Sequence, residues 1–218
     1  MSYLPEIAIY YIILLSSVVV HEFGHAWMAN RLGDPLPRTH GRLTLNPQVH
    51  IDLWGTIIIP LIVLVLPVLY GSGPFLPYAW GKRVETSCMP QPERKRFECL
   101  TNLAGPLANL LLGFLAVILA GGFARFGIDQ FDDLFILILR INLFLFMFNL
   151  IPIPPLKGSF VLKILTNMSD VTFAKFSQWG IICFILLFWL GPFGQLLHLL
   201  EVYGTSALWV IRVLLSGS

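Results

Sequence analysis

The chain has 218 residues, of which 56% are hydrophobic and only 12% charged, with a mean hydropathy of +0.78. Soluble domains carry about 25% charged residues, so this composition excludes a large soluble domain and describes an integral membrane protein. A net charge of +2 is too small for a nucleic-acid footprint, and Cys88, Cys99 and Cys183 fit no C-x-x-C pattern, which argues against a disulfide framework or a cysteine zinc site.

Apolar stretches fall at about 7–30, 51–70, 99–124, 131–151, 178–193 and 196–215, each near the roughly 20 residues that cross a bilayer. The first twenty residues lack Lys and Arg, so they read as a retained helix, not a cleaved leader. Within this first stretch, residues 21–25 read His-Glu-Phe-Gly-His. Positions i and i+4 share one helix face, so His21 and His25 can present imidazole nitrogens to one Zn²⁺, with Glu22 beside them to take a proton from water. The bland alternative is a histidine pair hydrogen-bonded to neighbouring helices. A charged cluster at membrane depth is costly, which favours the functional reading.

The polar connector Arg31–His50 contains Thr39–Pro47, whose alternation around Gly41 predicts a small β hairpin or edge strand. The stretch 51–70 is interrupted by Pro60 and Pro67, and proline breaks helical hydrogen bonding, so this segment reads as re-entrant. Residues 71–92 read as a loop. A second polar cluster, Asn149 to Gly158, ends the fourth stretch; its three prolines predict an extended segment at membrane depth, tolerated only where protein or water satisfies it.

Helices 7–30 and 131–151 must run parallel for their polar ends to meet. An odd number of crossings must then separate them, which again makes 51–70 re-entrant. With that topology Arg31, Arg38, Arg42, Lys82, Arg83, Arg94, Lys95, Arg96, Lys163 and Lys175 share the active-site side, and the positive-inside rule makes that side cytoplasmic. The expected fold is an all-α polytopic membrane protein, one membrane-embedded domain over 1–218, with about five transmembrane helices, one re-entrant segment and the hairpin.

The His21–His25 motif and the Asn149–Gly158 segment together resemble the site-2 protease family of intramembrane zinc metalloproteases, which pairs H-E-x-x-H with a distal N-x-x-P-x-P-x-x-D-G segment. Ala104-Gly-Pro-Leu-Ala-Asn109 resembles the family's A-G-P-x-x-N helix start. The resemblance covers essentially the whole chain and is to the short form without PDZ or CBS domains. It implies cleavage of a peptide bond in or near a transmembrane segment, with one Zn²⁺, His21 and His25 as ligands, Glu22 as general base and Asn149 positioning substrate or stabilising the oxyanion. It further implies a prokaryotic cell-membrane enzyme acting on single-pass membrane proteins or remnant peptides, surrounded by lipid.

One position departs. The family's third ligand, an aspartate, falls on Lys157. A carboxylate offsets the metal's charge, whereas an ammonium has no lone pair and repels it. Three readings remain open: His40, His50, Asp52 or Asp170 completes the site; the scaffold binds zinc poorly and cleaves little, in the limit a pseudoprotease that captures substrate without cutting; or the ammonium stands in for zinc beside Glu22. A channel or transporter is disfavoured, because the spans show no duplicated halves. Arg140 and His198 read as interfacial or packing residues, and Phe144–Phe148 as packing surface.

Overall fold

The structure, a computed structural model, describes residues 3–69, 79–87, 93–189 and 192–216. Its elements are α1 (Tyr3–Arg31), α2 (Leu36–Thr39), a 3₁₀ turn (Pro47–Val49), a π-helical turn (Leu53–Ile58), α3 (Ile59–Leu69), α4 (Glu93–Ala124), α5 (Asp132–Asn149), α6 (Gly158–Leu165), α7 (Asp170–Trp189) and α8 (Pro192–Ser216). The regular elements of the described residues are all helices, without strands. Two of these helices, over Leu4–Arg31 and Arg94–Ala124, are long and apolar enough to cross a membrane. The chain clusters into two compact units, Met1–Ser87 and Cys88–Ser218.

In the first unit, α1 buries Leu14, Val18, His21, Glu22, His25 and Ala29 along one face, the 3–4 spacing of a helical stripe. Ile9, Ile12 and Trp27 are exposed on the other side. Gly33, at φ +96°, ends the helix, with the Asp34 amide donating to the Ala29 carbonyl at 3.0 Å; only glycine enters this left-handed cap without strain. Asp34 is fully buried. Its carboxylate accepts from the amides of Leu36 at 3.0 Å and Ser87 at 2.7 Å, tying the chain after α1 to the end of the 79–87 segment.

The expected hairpin over Thr39–Pro47 is absent. Pro37 sits in the single turn of α2, Gly41 turns the chain at φ +64°, and the Arg42 amide bonds Pro37. Thr44 Oγ1 then accepts from the Asn46 amide, and Asn46 Oδ1 from Gln48. These side chains take up amides that a strand ladder would use. The stretch 51–70 begins irregularly: Asp52 Oδ1 caps Trp54 and Gly55, a π turn follows, and α3 contains Pro60 and Pro67.

In the second unit, α4 packs against both α5 and α8. Ala116, Ala120 and Phe135 form a buried core with Phe123, Ile138 and Trp209 against it. At Gly121 a Cβ would lie 2.8 Å from Leu215 Cβ, so a small residue sets the α4–α8 separation. Arg212 of α8 reaches the α4–α5 turn and donates to Asp129 Oδ1 at 2.9 Å and Asp132 Oδ2 at 2.5 Å.

The segment after α5 is a series of turns, not the expected extended run. Leu150 and Ile151 amides bond back to α5, and the Leu156 amide bonds Ile153. Gly158 closes the loop: a Cβ there would lie 2.0 Å from the Leu150 carbonyl oxygen. The Pro154–Pro155 peptide is cis. The side chains of Cys88, His198 and Glu201 lie outside the described residues, as do residues 70–78 and 88–92 of the expected 71–92 loop.

Candidate metal centre

α1 delivers His21, Glu22 and His25 to its packed face, where they are 7%, 5% and 3% exposed. One helical turn separates the two imidazoles, which meet edge to face at 83° with centroids 4.7 Å apart. Their Nε2 atoms are 3.1 Å from each other. That separation suits an N–H···N hydrogen bond, and it also suits one cation. Two nitrogens at this distance, each about 2.0–2.1 Å from a common point, subtend roughly 100° there, close to the tetrahedral angle zinc takes. The histidine pair fits a metal.

Among the described residues, no three His, Cys, Asp or Glu side chains gather closely enough to hold an ion. Each alternative third ligand has a partner of its own, although His50 keeps its buried Nδ1 without a hydrogen bond. His40 Nδ1 lies 3.6 Å from Glu85, and Asp52 caps the π turn. His50 is buried, and its Nε2–H donates to the Thr44 carbonyl at 2.8 Å. Burial holds its imidazole below the ordinary range, against the effect of the Thr44 bond, and the Arg42 charge adds to the lowering. Asp170 pairs with Lys163 at 2.8 Å and Arg94 at 3.1 Å.

In the second unit Asn149 is the last residue of α5, and its Nδ2 donates to the Leu145 carbonyl at 2.8 Å. Lys157 is half-buried and is the residue before α6, at φ −65° and ψ −30°, with no side-chain capping bond. A carboxylate at such a position matches the helix dipole; an ammonium opposes it. On α6, Lys163 Nζ bonds Glu98 at 2.7 Å, and Arg94 Nε bonds the other Glu98 oxygen at 2.7 Å.

The profile of peptidase family M50 matches residues 9–131, a span that includes the His21–His25 motif and Ala104–Asn109. The chain belongs to peptidase family M50. It is 32% identical over 201 residues to "Putative zinc metalloprotease YwhC" of Bacillus subtilis, covering 84% of this chain and 81% of that protein. It is 31% identical over 207 residues to "Putative zinc metalloprotease Rip2" of Mycobacterium tuberculosis, covering 88% and 73%. The Mycolicibacterium smegmatis protein of the same name is 31% identical over 175 residues, and the chain spans 63% of its length. No solved structure matches. M50 is the site-2 protease family, so the chain is placed among membrane-embedded zinc metalloendopeptidases.

Sequence reasoning missed two features of these units. One is the close approach of Gly81 to Glu22, where a Cβ would lie 2.5 Å from Glu22 Cγ. The other is the Arg94–Glu98–Lys163–Asp170 network. Only the i,i+4 spacing of Arg94 and Glu98 carried any signal for it.

Proposed function

We propose that the chain is an intramembrane zinc endopeptidase whose metal affinity and turnover are cut by Lys157. The observation that carries the reading is the convergence of two buried Nε2 atoms, 3.1 Å apart, beside a buried carboxylate on one apolar helix. His21 and His25 would hold the zinc. When bound, zinc would polarise the scissile carbonyl and acidify water. Glu22 takes the proton of the attacking water on its carboxylate and returns it to the leaving amine. Asn149 positions substrate or the oxyanion after giving up its bond to Leu145.

The two units work as one membrane-embedded domain with about five crossings and 51–70 re-entrant. It lies in a prokaryotic cell membrane, with the active site towards the cytoplasm, as the distribution of Lys and Arg favours. The substrate is a single-pass membrane protein or remnant peptide, and nucleic acid plays no part. An unwound substrate can add as a strand beside the site. The turns of residues 36–48 make that segment a poor edge. The 79–87 segment suits the role better. The Trp80 and Lys82 amides are taken by Gly55 and His50, while the backbone groups of Arg83–Thr86 pair with nothing among the described residues.

Lys157 favours a second reading, a pseudoprotease that binds transmembrane peptides without cutting them. Cleavage of a labelled transmembrane peptide separates the two: turnover that Glu22→Gln abolishes with expression intact supports the enzyme. Capture without turnover, insensitive to chelator, supports the pseudoprotease. Equal cleavage by the Glu22→Gln variant sinks the catalytic assignment.

A further inference from the structure

The non-helical stretch Ala79–Lys82 lies against the motif helix and is held there by three hydrogen bonds. The Trp80 amide donates to Gly55 at 3.1 Å, Thr56 Oγ1 to the Trp80 carbonyl at 2.9 Å, and the Lys82 amide to His50 at 2.8 Å. Thr56 is itself buried and fixed. It accepts from the Asp52 amide at 3.0 Å, and its carbonyl accepts from Tyr11 of α1 at 3.0 Å. Gly55 lies flush on the Trp80 indole, where a Cβ would be 2.3 Å from Nε1.

The frame presents the backbone of Gly81, which is buried, to Glu22. A Cβ at residue 81 would lie 2.5 Å from Glu22 Cγ, and 3.1 Å from both Glu22 Cδ and the His50 carbonyl oxygen. Gly81 is not among the glycines with positive φ, which among the described residues are Gly33, Gly41 and Gly127. Its backbone would therefore accept alanine, and what the site demands of residue 81 is space.

We infer that Gly81 is a positioning residue for Glu22: its bare backbone is the wall that selects the orientation of the carboxylate. The inference rests on reading Glu22 as the general base. A glutamate has three rotatable bonds, and a catalytic group must be held to within about 0.5 Å of its productive position. α1 fixes only the Cα of Glu22. The hydrogen-bonded stretch 79–82 occupies the volume into which Cγ would otherwise swing, and a methyl group there moves the flexible partner, Glu22, because the opposing atom is backbone.

The test uses the full chain in detergent, with Gly81→Ala made in two backgrounds, native and Glu22→Ala, and Gly122→Ala as a control because a Cβ there meets nothing within 4 Å. Thermal melting is the first readout. The expected result is a fall of at least about 4 °C in the native background and under about 1 °C where Cγ has been removed; contacting residues couple in this way and distant ones do not. Equal falls in both backgrounds place the clash elsewhere and overturn the inference. The second readout is cleavage of a transmembrane peptide by the native chain and by its Lys157→Asp variant. Gly81→Ala is expected to lower kcat tenfold or more with KM and zinc content within twofold, since displacements of about 1 Å at a catalytic group can cost on the order of 100-fold. Unchanged kcat, or joint loss of zinc and kcat, overturns it. Absence of turnover in both chains removes the base reading of Glu22, and the melting comparison alone then upholds or overturns the wall.

Discussion

Replacing Lys163 by Met should destabilise the second unit by about 2–3 kcal/mol. Its Nζ is 2.7 Å from Glu98 and 2.8 Å from Asp170, and 5.3 Å from the Phe173 ring centre. The Lys163 and Glu98 side chains are 11% and 18% exposed. Breaking a fully buried pair costs about 3–5 kcal/mol, mostly through the charge left behind. Here Glu98 keeps Arg94 at 2.7 Å, which lowers the figure. Glu98→Gln should cost less, about 1–2 kcal/mol, because Lys163 keeps Asp170. The double variant should lose about 1 kcal/mol less than the sum of the two. Melting of the detergent-solubilised chain followed by circular dichroism reads these as shifts of roughly 2–4 °C per kcal/mol.

The network also has a pH signature. Burial pushes the Lys163 ammonium down, but hydrogen bonds to Asp170 and Glu98 and their charges outweigh it, so its pKa lies above the ordinary range. Its contribution is present below the unfolded lysine value, about 10.4, and is lost as pH rises through the higher folded value. Lys163 and Arg94 hold Asp170 below the usual carboxylate range, the bond and charge of Lys163 leading. That contribution is present above the unfolded value, about 3.9, and disappears as pH falls through the lower folded one. The gap between native and Lys163→Met chains should therefore be flat from about pH 5 to 9 and narrow on both sides. Strictly additive variants, or a gap unchanged in acid, would refute the reasoning.

Further outcomes are expected at single positions. Gly158→Ala should cost about 3 kcal/mol or more, because the Leu150 carbonyl cannot retreat as a side chain would; urea titration of the folded fraction checks this. Asp34→Ala strands the Leu36 and Ser87 amides and should cost about 1–3 kcal/mol, with faster limited proteolysis between residues 82 and 87. Tyr11→Phe, losing the bond to Thr56, should cost about 1 kcal/mol by thermal melting.

Much of the helical layout was legible in the sequence. The apolar runs at about 7–30 and 131–151 match α1 and α5, because hydrophobic length is a local property. The motif on α1 was equally readable, since i,i+4 spacing alone sets His21 and His25 side by side. The hairpin over Thr39–Pro47 was misread for a reason visible at Thr44 and Asn46. Alternation of side chains says nothing about whether a hydroxyl or amide will capture the backbone first. α6 went unseen because its eight residues follow three prolines and have no capping side chain. The meeting of Gly81 with Glu22, 59 positions apart, depends on Thr56, Gly55 and His50 holding an irregular stretch in place, and no local pattern encodes that.

The most direct test of the central claim is zinc content of detergent-purified protein by elemental analysis, for the native chain, Lys157→Asp, and Lys157→Asp with His21→Ala. The account predicts well under one zinc per native chain, about one in the Lys157→Asp variant and almost none once His21 is removed. One zinc per native chain with no gain on Lys157→Asp would contradict it, and so would zinc retained without His21.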